Sequence, residues 1–391
     1  MNDDMNETSV NTIIKDCITN NDNILELQCC NFKTGNIPKR IRKCENLKIL
    51  KISDAELEEC THFAPNIEEI YIINCILKNF ETSETPKTLR ILELENNLLE
   101  FFIDCDMLVN LVELNLSFNK LNTIPYLPQS IKKLNLSKND IENIENLNNL
   151  TNLEELNLSD NSISHINLNV DITTRILTHL NLSNNKIRIL DLTNFTNIDN
   201  FKMLNVSFND IEKIIGDIPI NLQYLNLSQN KLINIPKLHS NITYLDIADN
   251  NLLSLPHIES YDSINYFDIT NNDSIQLTDD DISNLNELKS KVKKCYIDQI
   301  ELDNNDINTT DTSDDNISEN IDINFHNRDD SRDDSLDDNL DDDLDDSSID
   351  IVLSDKSNKS NKSNKSNESN ISIKINKADK VPINTKRIYN L

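Results

Sequence analysis

A chain of 391 residues, 37% hydrophobic and 27% charged, is long enough for one large fold or two ordinary domains. Its net charge of −30 is uneven: residues 301–350 hold 20 Asp/Glu against 2 Arg, residues 351–391 hold 9 Lys/Arg against 3 Asp/Glu, and the first 300 residues keep −18. So acidic a surface repels phosphate backbones and argues against nucleic acid as a partner, and with no apolar run of membrane or signal-peptide length the expectation is an intracellular protein without membrane contact.

In chain order, residues 1–21 read as an N-terminal cap, with TSVNTIIKDCITN (8–20) as a short helix. From 22 to 278 a pattern repeats. The segments LVELNLSFNKL (111–121), IKKLNLSKNDI (131–141), LEELNLSDNSI (153–163) and LQYLNLSQNKL (222–232) share L-x-x-L-x-L-x-x-N-x-L. The ninth position falls at Cys30, Ala55 and Cys75, and then at Asn97, Asn119, Asn139, Asn161, Asn185, Asn209, Asn230, Asn250 and Asn272, which makes twelve units of 20–25 residues. In L-x-L, two leucines alternate with an outward residue, the two-residue period of a strand buried on one face. An asparagine at the corner turns the chain and offers its amide to backbone groups of the neighbouring coil that burial would leave unpaired. A thiol at Cys75 replaces that amide in part and the methyl of Ala55 not at all, so the first coils are expected to be less regular. The return segments carry Ile124-Pro125, Leu127-Pro128, Ile218-Pro219, Ile235-Pro236 and Leu255-Pro256, and proline there predicts extended or 3-10 structure.

The repeat is similar to the leucine-rich-repeat consensus, over about two-thirds of the chain. That resemblance implies an α/β fold, a right-handed solenoid with a concave parallel β-sheet and an extended or 3-10 convex side, acting as a non-catalytic scaffold or adaptor that binds a protein on its concave face. The Ile-Pro-x-Leu-Pro coils also resemble bacterial leucine-rich-repeat effectors that add a catalytic-cysteine domain. Here low complexity follows the repeats instead, so no such activity is carried over.

Residues 279–302 read as the C-terminal cap, with a helix over 279–294 that has acids first, lysines last, and Ile282, Leu285, Leu288 and Val292 at helical spacing. Residues 303–350 form an acidic tail too poor in apolar groups to fold alone, and 351–391 a Ser/Asn/Lys low-complexity and basic tail. A repeat body with an acidic tail resembles acidic nuclear phosphoproteins that chaperone or sequester basic proteins such as histones, which is the alternative function. Within the tail, Thr312, Ser331, Ser335 and Ser347 each have an aspartate three residues on and are candidate phosphoacceptors, and IDIVL (349–353) is a candidate strand for a ubiquitin-like modifier.

Chemistry-bearing motifs are scarce. Two glycines build no phosphate loop, six scattered histidines no metal pair, and His179 reads as a solvated surface residue; no enzyme activity, metal or cofactor is expected. Eight cysteines without a C-x-x-C pair read as reduced thiols. Asn115, Asn135, Asn157, Asn181, Asn205 and Asn226 all begin N-x-S sequons at one repeat position, where glycans would crowd the inner face, a second reason to expect an intracellular chain. The third and fifth repeat positions point outward. Down the array the third runs Glu113, Lys133, Glu155, His179, Met203, Tyr224, Tyr244, Tyr266, and the fifth changes from asparagine to Asp246 and Asp268. Met203, the three tyrosines and the two aspartates are the candidate protein-binding residues.

Overall fold

The computed structural model describes residues 7–297 apart from 104, 167–175, 196, 197, 259, 261 and 293. The acidic and basic tails, Thr312, Ser331, Ser335, Ser347 and the 349–353 segment lie outside the described residues.

Helix α1 (Glu7–Asn20) opens the chain and turns its buried Val10, Ile14 and Cys17 onto β1 (Ile24–Gln28) and the 3-10 turn Lys39–Lys43. There follow β2 (Ile49–Ser53), β3 (Glu59–Cys60), β4 (Glu69–Ile73), β5 (Asn79–Phe80), β6 (Ile91–Glu93), β7 (Glu113–Asn115), β8 (Lys133–Asn135), β9 (Glu155–Asn157), β10 (His179–Asn181) and β11 (Ile189–Asp191). The described residues continue with β12 (Met203–Asn205), β13 (Lys213–Ile215), β14 (Tyr224–Asn226), β15 (Tyr244–Asp246), β16 (Tyr266–Asp268), α2 (Asp279–Lys291) and β17 (Lys294–Tyr296). Thirteen of the strands form one sheet in chain order, parallel throughout, and the other four pair on the return side as β3–β5 and β11–β13. The chain is a parallel-sheet solenoid. Each strand sends alternate leucines, such as Leu114 and Leu116 or Leu225 and Leu227, into one continuous core. The core's outer side is filled by aromatic rings: Phe63, Phe80 and Phe102 at centroid spacings of 5.3 and 6.0 Å, and Phe195 against Phe201 at 5.3 Å.

Short returns keep the outer side extended or 3-10, as at Lys39–Lys43 and Cys105–Met107. Gly216 ends β13 with a φ of 85°, and a Cβ there would lie 2.9 Å from the Thr193 backbone nitrogen, so only glycine lets the two outer coils close.

The corner asparagines tie coil to coil. Asn161 donates its amide to the Leu136 carbonyl of the preceding coil at 3.0 Å and to Leu158 and Ser159 of its own coil, while its Oδ1 accepts from the Ile141 N–H at 3.0 Å. Asn97, Asn119, Asn139, Asn185, Asn209, Asn230, Asn250 and Asn272 each repeat this set, with cross-coil carbonyl bonds of 2.8 to 3.0 Å. Just before each corner stands a residue with φ between 51 and 56°: Cys29, Asp54, Asn74, Asn96, Phe118, Lys138, Asp160, Asn184, Phe208, Gln229, Asp249 and Asn271. Seven of these are Asn or Asp, the side chains that tolerate the left-handed region best, which is how a chain with two glycines makes twelve such turns.

Two expectations need correction. The first coils are not less regular, since β1, β2 and β4 have five residues where most later strands have three. In later coils the fifth-position asparagine folds back, as Asn115 does to accept from the Ser117 N–H at 2.9 Å, and this removes a donor from the ladder. Glu26, Lys51 and Tyr71 stand there in the first coils, where the strand runs on, whereas β6 with Glu93 there stays short because the corner Asn97 takes the Ile72 carbonyl. The thiols of Cys30 and Cys75 donate to carbonyls of their own coils, Gln28 and Ile73, at 3.4 Å, and Cys75 also meets the Ala55 backbone of the preceding coil. At the other end, α2 stops at Lys291 because Val292 is extended, and Lys294–Tyr296 adds a thirteenth strand that the repeat pattern does not signal. Helix α2 is held by a capping box in which Thr278 and Asp281 each bond the other's backbone N–H, at 3.2 and 2.8 Å.

Candidate functional site

The sheet aligns the third-position residues in one column and the fifth-position residues in another. On β14, β15 and β16 the first column places Tyr224 beside Tyr244 and Tyr244 beside Tyr266. Strand spacing of about 4.8 Å leaves the rings little choice but to lie face to face. Their centroids are 4.1 and 4.2 Å apart, with planes within 12 and 7°. Ring faces are therefore spent on one another, and edges and hydroxyls are what the strip offers outward. Of these hydroxyls, that of Tyr266 donates to Asp268 Oδ2 at 3.3 Å. Tyr296 extends the strip from β17, tilted by 52° at 5.7 Å from Tyr266 and 46% exposed.

Beside the rings run Asn205, Asn226, Asp246 and Asp268. Asp246 Oδ1 accepts from the Ala248 N–H at 3.2 Å, and Asp268 Oδ1 from the Thr270 N–H at 3.1 Å and its hydroxyl at 2.7 Å. Burial pushes the Asp246 carboxyl up to about 6, with the charges of Asp268 and Asp249 acting in the same direction. Burial and the carboxylates of Asp246 and Asp268 push the Tyr266 hydroxyl up to about 12, and burial raises Tyr244 strongly. Neither Asp246 nor Asp268 has an ion-pair partner among the described residues. The other end of the sheet differs, because its charges pair across adjacent strands: Lys51 with Glu26 at 3.0 Å, Lys48 with Glu68 at 2.7 Å, Lys132 with Glu154 at 2.7 Å and Lys133 with Glu155 at 3.5 Å.

Two sequence expectations fail here. Met203 is only 5% exposed, flanked in register by His179 and Tyr224, so it supports the strip and cannot be a contact residue. His179 is half-buried; desolvation lowers its basicity, and its Nδ1 lies 2.7 Å from the Thr178 hydroxyl. Two aromatic residues escaped the sequence reading. Tyr296 lies past the last recognisable repeat. Tyr71 stands where later coils have asparagine and donates its hydroxyl to Glu69 at 2.9 Å, near Glu93 and Glu113. An outward tyrosine in EIYII was the available signal for it.

Nucleophiles are not prepared here. All eight cysteines are free, and burial pushes Cys30, Cys44 and Cys75 up to about 11, 12 and 11, away from thiolate chemistry. Among the described residues no cluster of His, Cys, Asp and Glu could hold a metal ion, and no helix is long and apolar enough to cross a membrane. A groove of about 560 Å³ runs between α2 and the Leu255–Ile258 return, but its Lys291 is held by Asp262 at 2.9 Å and Glu287 at 2.7 Å.

The leucine-rich-repeat family model matches residues 110–131, 152–170, 177–198 and 221–240. A comparison with curated protein sequences gave no match. Among solved structures, the fold is similar to a leucine-rich-repeat protein of Leptospira interrogans, at 23% identity and a TM-score of 0.51 over 67% of this chain and 75% of that one. It is similar too to YopM, a leucine-rich effector protein from Yersinia pestis, at 22% identity and 0.55 over 68% and 70%. The LRIM1/APL1C complex matches at 21% and 0.52, over 61% of this chain and 46% of that one. Repeat sequence, asparagine corners and parallel-sheet coils agree, and the chain carries leucine-rich repeats folded as a leucine-rich-repeat solenoid.

Proposed function

We propose that this protein is a non-catalytic scaffold or adaptor that docks a folded protein partner on the C-terminal half of its sheet face, at Tyr224, Tyr244, Tyr266, Asp246 and Asp268. Leucine-rich-repeat solenoids are protein-interaction modules, and that general role extends to this chain. The observation that carries the finer reading is the stacked tyrosine strip, a rigid aromatic surface next to charge, the composition of interface hot spots. Tyrosine brings large contact area at small entropy cost, and a strip locked by stacking loses even less freedom on binding.

The test is partner capture from the native cell with Tyr224→Ala/Tyr244→Ala/Tyr266→Ala, set against Glu113→Ala and Lys133→Ala at the other end. The tyrosine variant is expected to weaken capture by at least ~2 kcal/mol. Wild-type capture by it, with loss in the Glu113 or Lys133 variants, puts the partner elsewhere. An intracellular setting belongs to the same reading, supported by the burial of the sequon residues Asn115, Asn157 and Asn181, where a folded coil has no room for a glycan. The alternative, sequestration of basic proteins by residues 301–350, rests on their charge of 20 Asp/Glu against 2 Arg, and capture on residues 1–300 versus 301–391 separates the two.

A further inference from the structure

Six successive strands, β7 to β14 without the outer β11 and β13, carry asparagine at the fifth position: Asn115, Asn135, Asn157, Asn181, Asn205 and Asn226. Each Oδ1 accepts from the N–H two residues on, at 2.9 to 3.1 Å. On β15 and β16 the chain switches to aspartate, and the carboxylate oxygens of Asp246 and Asp268 accept the very same bonds, at 3.2 and 3.1 Å. For the backbone the switch changes nothing, since either side chain supplies the oxygen. What it adds is two negative charges on neighbouring strands, half-buried against tyrosine rings and, among the described residues, without an ion-pair partner. That addition costs folding energy, because a carboxylate loses hydration there and repels its neighbour. Farther along the same face Glu26, Glu68, Glu154 and Glu155 are matched by lysines on adjacent coils. Asp246 and Asp268, beside the aromatic strip, have no such match among the described residues.

We infer that the segment docking on this strip is basic, an extended stretch of a partner protein whose lysine or arginine side chains reach Asp246 and Asp268 across the tyrosine edges. The inference rests on the docking reading above and adds the partner's chemistry. Charge complementarity is the first ground: a guanidinium or ammonium placed at the two carboxylates restores the interactions they lack, in a partly desolvated position where charge-assisted hydrogen bonds are strong. Geometry is the second. From β14 to β17 the strip spans three strand spacings, about 14 Å, the length of roughly four extended residues. Tyr296, exposed at its end, and the row of hydroxyls add an apolar edge and donors for the partner's backbone carbonyls.

A peptide of alternating arginine and serine, labelled with fluorescein and a photo-cross-linker, tests this on the full-length protein, against the same peptide with citrulline for arginine. The arginine peptide is expected to cross-link within residues 224–296, and Asp246→Asn with Asp268→Asn to cut that yield about tenfold. Because asparagine is what the six preceding coils carry, the double variant keeps the fold, and an unshifted or raised melting temperature verifies it. Cross-links found only within residues 301–350 overturn the proposal, as does an unchanged yield in the double variant. Equal cross-linking of both peptides to the strip also overturns it but leaves the docking reading standing. Loss of partner capture in the tyrosine variant alone, with the aspartate variant still capturing, likewise overturns the basic segment and keeps the docking surface.

Discussion

At nine of the twelve corners a single asparagine satisfies four backbone groups that burial would otherwise strand, one N–H and three C=O. Replacing Asn161, in the middle of the array, by alanine leaves those groups unpaired in a site with no water access. Asn161→Ala is expected to cost about 3 kcal/mol, seen as a lower denaturation midpoint with an unchanged slope. Asp246 supplies a pH signature. Its folded-state carboxyl is raised to about 6, above the ordinary aspartate range, so its stabilising effect is complete at low pH and is lost as pH rises through that value. Asp246→Asn mimics the neutral form. It is expected to raise the melting temperature at about pH 7.5 and to match the wild type below about pH 3, where the carboxyl is protonated in both the folded and the unfolded state. A gap that stays constant across this range rejects the assignment. The left-handed corner holds a third residue-scale feature: Phe208, at φ 54° and 55% exposed, occupies backbone that suits asparagine. Phe208→Asn is expected to stabilise the fold by about 1 kcal/mol in equilibrium unfolding, and a loss instead shows that the ring packs to more effect than its exposure suggests.

At the scale of elements, strand length goes with the corner as well as the fifth position: β6, with Glu93 at the fifth position but Asn97 at its corner, is three residues long, and the Asn97 amide takes the Ile72 carbonyl that a longer ladder would use. The repeat carries part of this relation, since Cys30, Ala55 and Cys75 follow the three five-residue strands. The tyrosine column was legible as a column, since the third position recurs in register. Its stacking was not, because ring geometry depends on strand spacing. Stacked rings also couple energetically. A double-mutant cycle over Tyr224→Ala and Tyr244→Ala is expected to give about 1 kcal/mol of interaction energy in unfolding experiments, while Tyr→Phe variants keep the stack and remove only the hydroxyls. Zero coupling means the rings are neighbours without mutual stabilisation. Met203 shows the limit of the column argument: an outward direction on a strand does not guarantee exposure when the residues on both adjacent strands lean over it.

For the whole molecule, the sheet and core run unbroken from β1 to β17, so stability is shared between neighbouring coils and the ends need covering. Deleting residues 1–20 strips Val10, Ile14 and Cys17 from the first coil, and is expected to expose apolar surface there, measured as dye binding and as earlier hydrogen exchange in β1 and β2 than in β8. Uniform exchange along the array is the contrary outcome. The repeat period, the inward leucines, the corner asparagines and the proline-marked returns all come from the sequence by itself, because each depends on local alternation and on hydrogen bonds to the next coil, which a repeat implies. Only the tertiary structure decided the rest: that β17 returns to the sheet after α2, that the rings stack, that Met203 and His179 are covered, and that among the described residues Asp246 and Asp268 lack cations while Lys132 and Lys133 find partners. Each of these depends on which side chains adjacent coils bring within a few ångströms, and a chain read one residue at a time does not contain that distance.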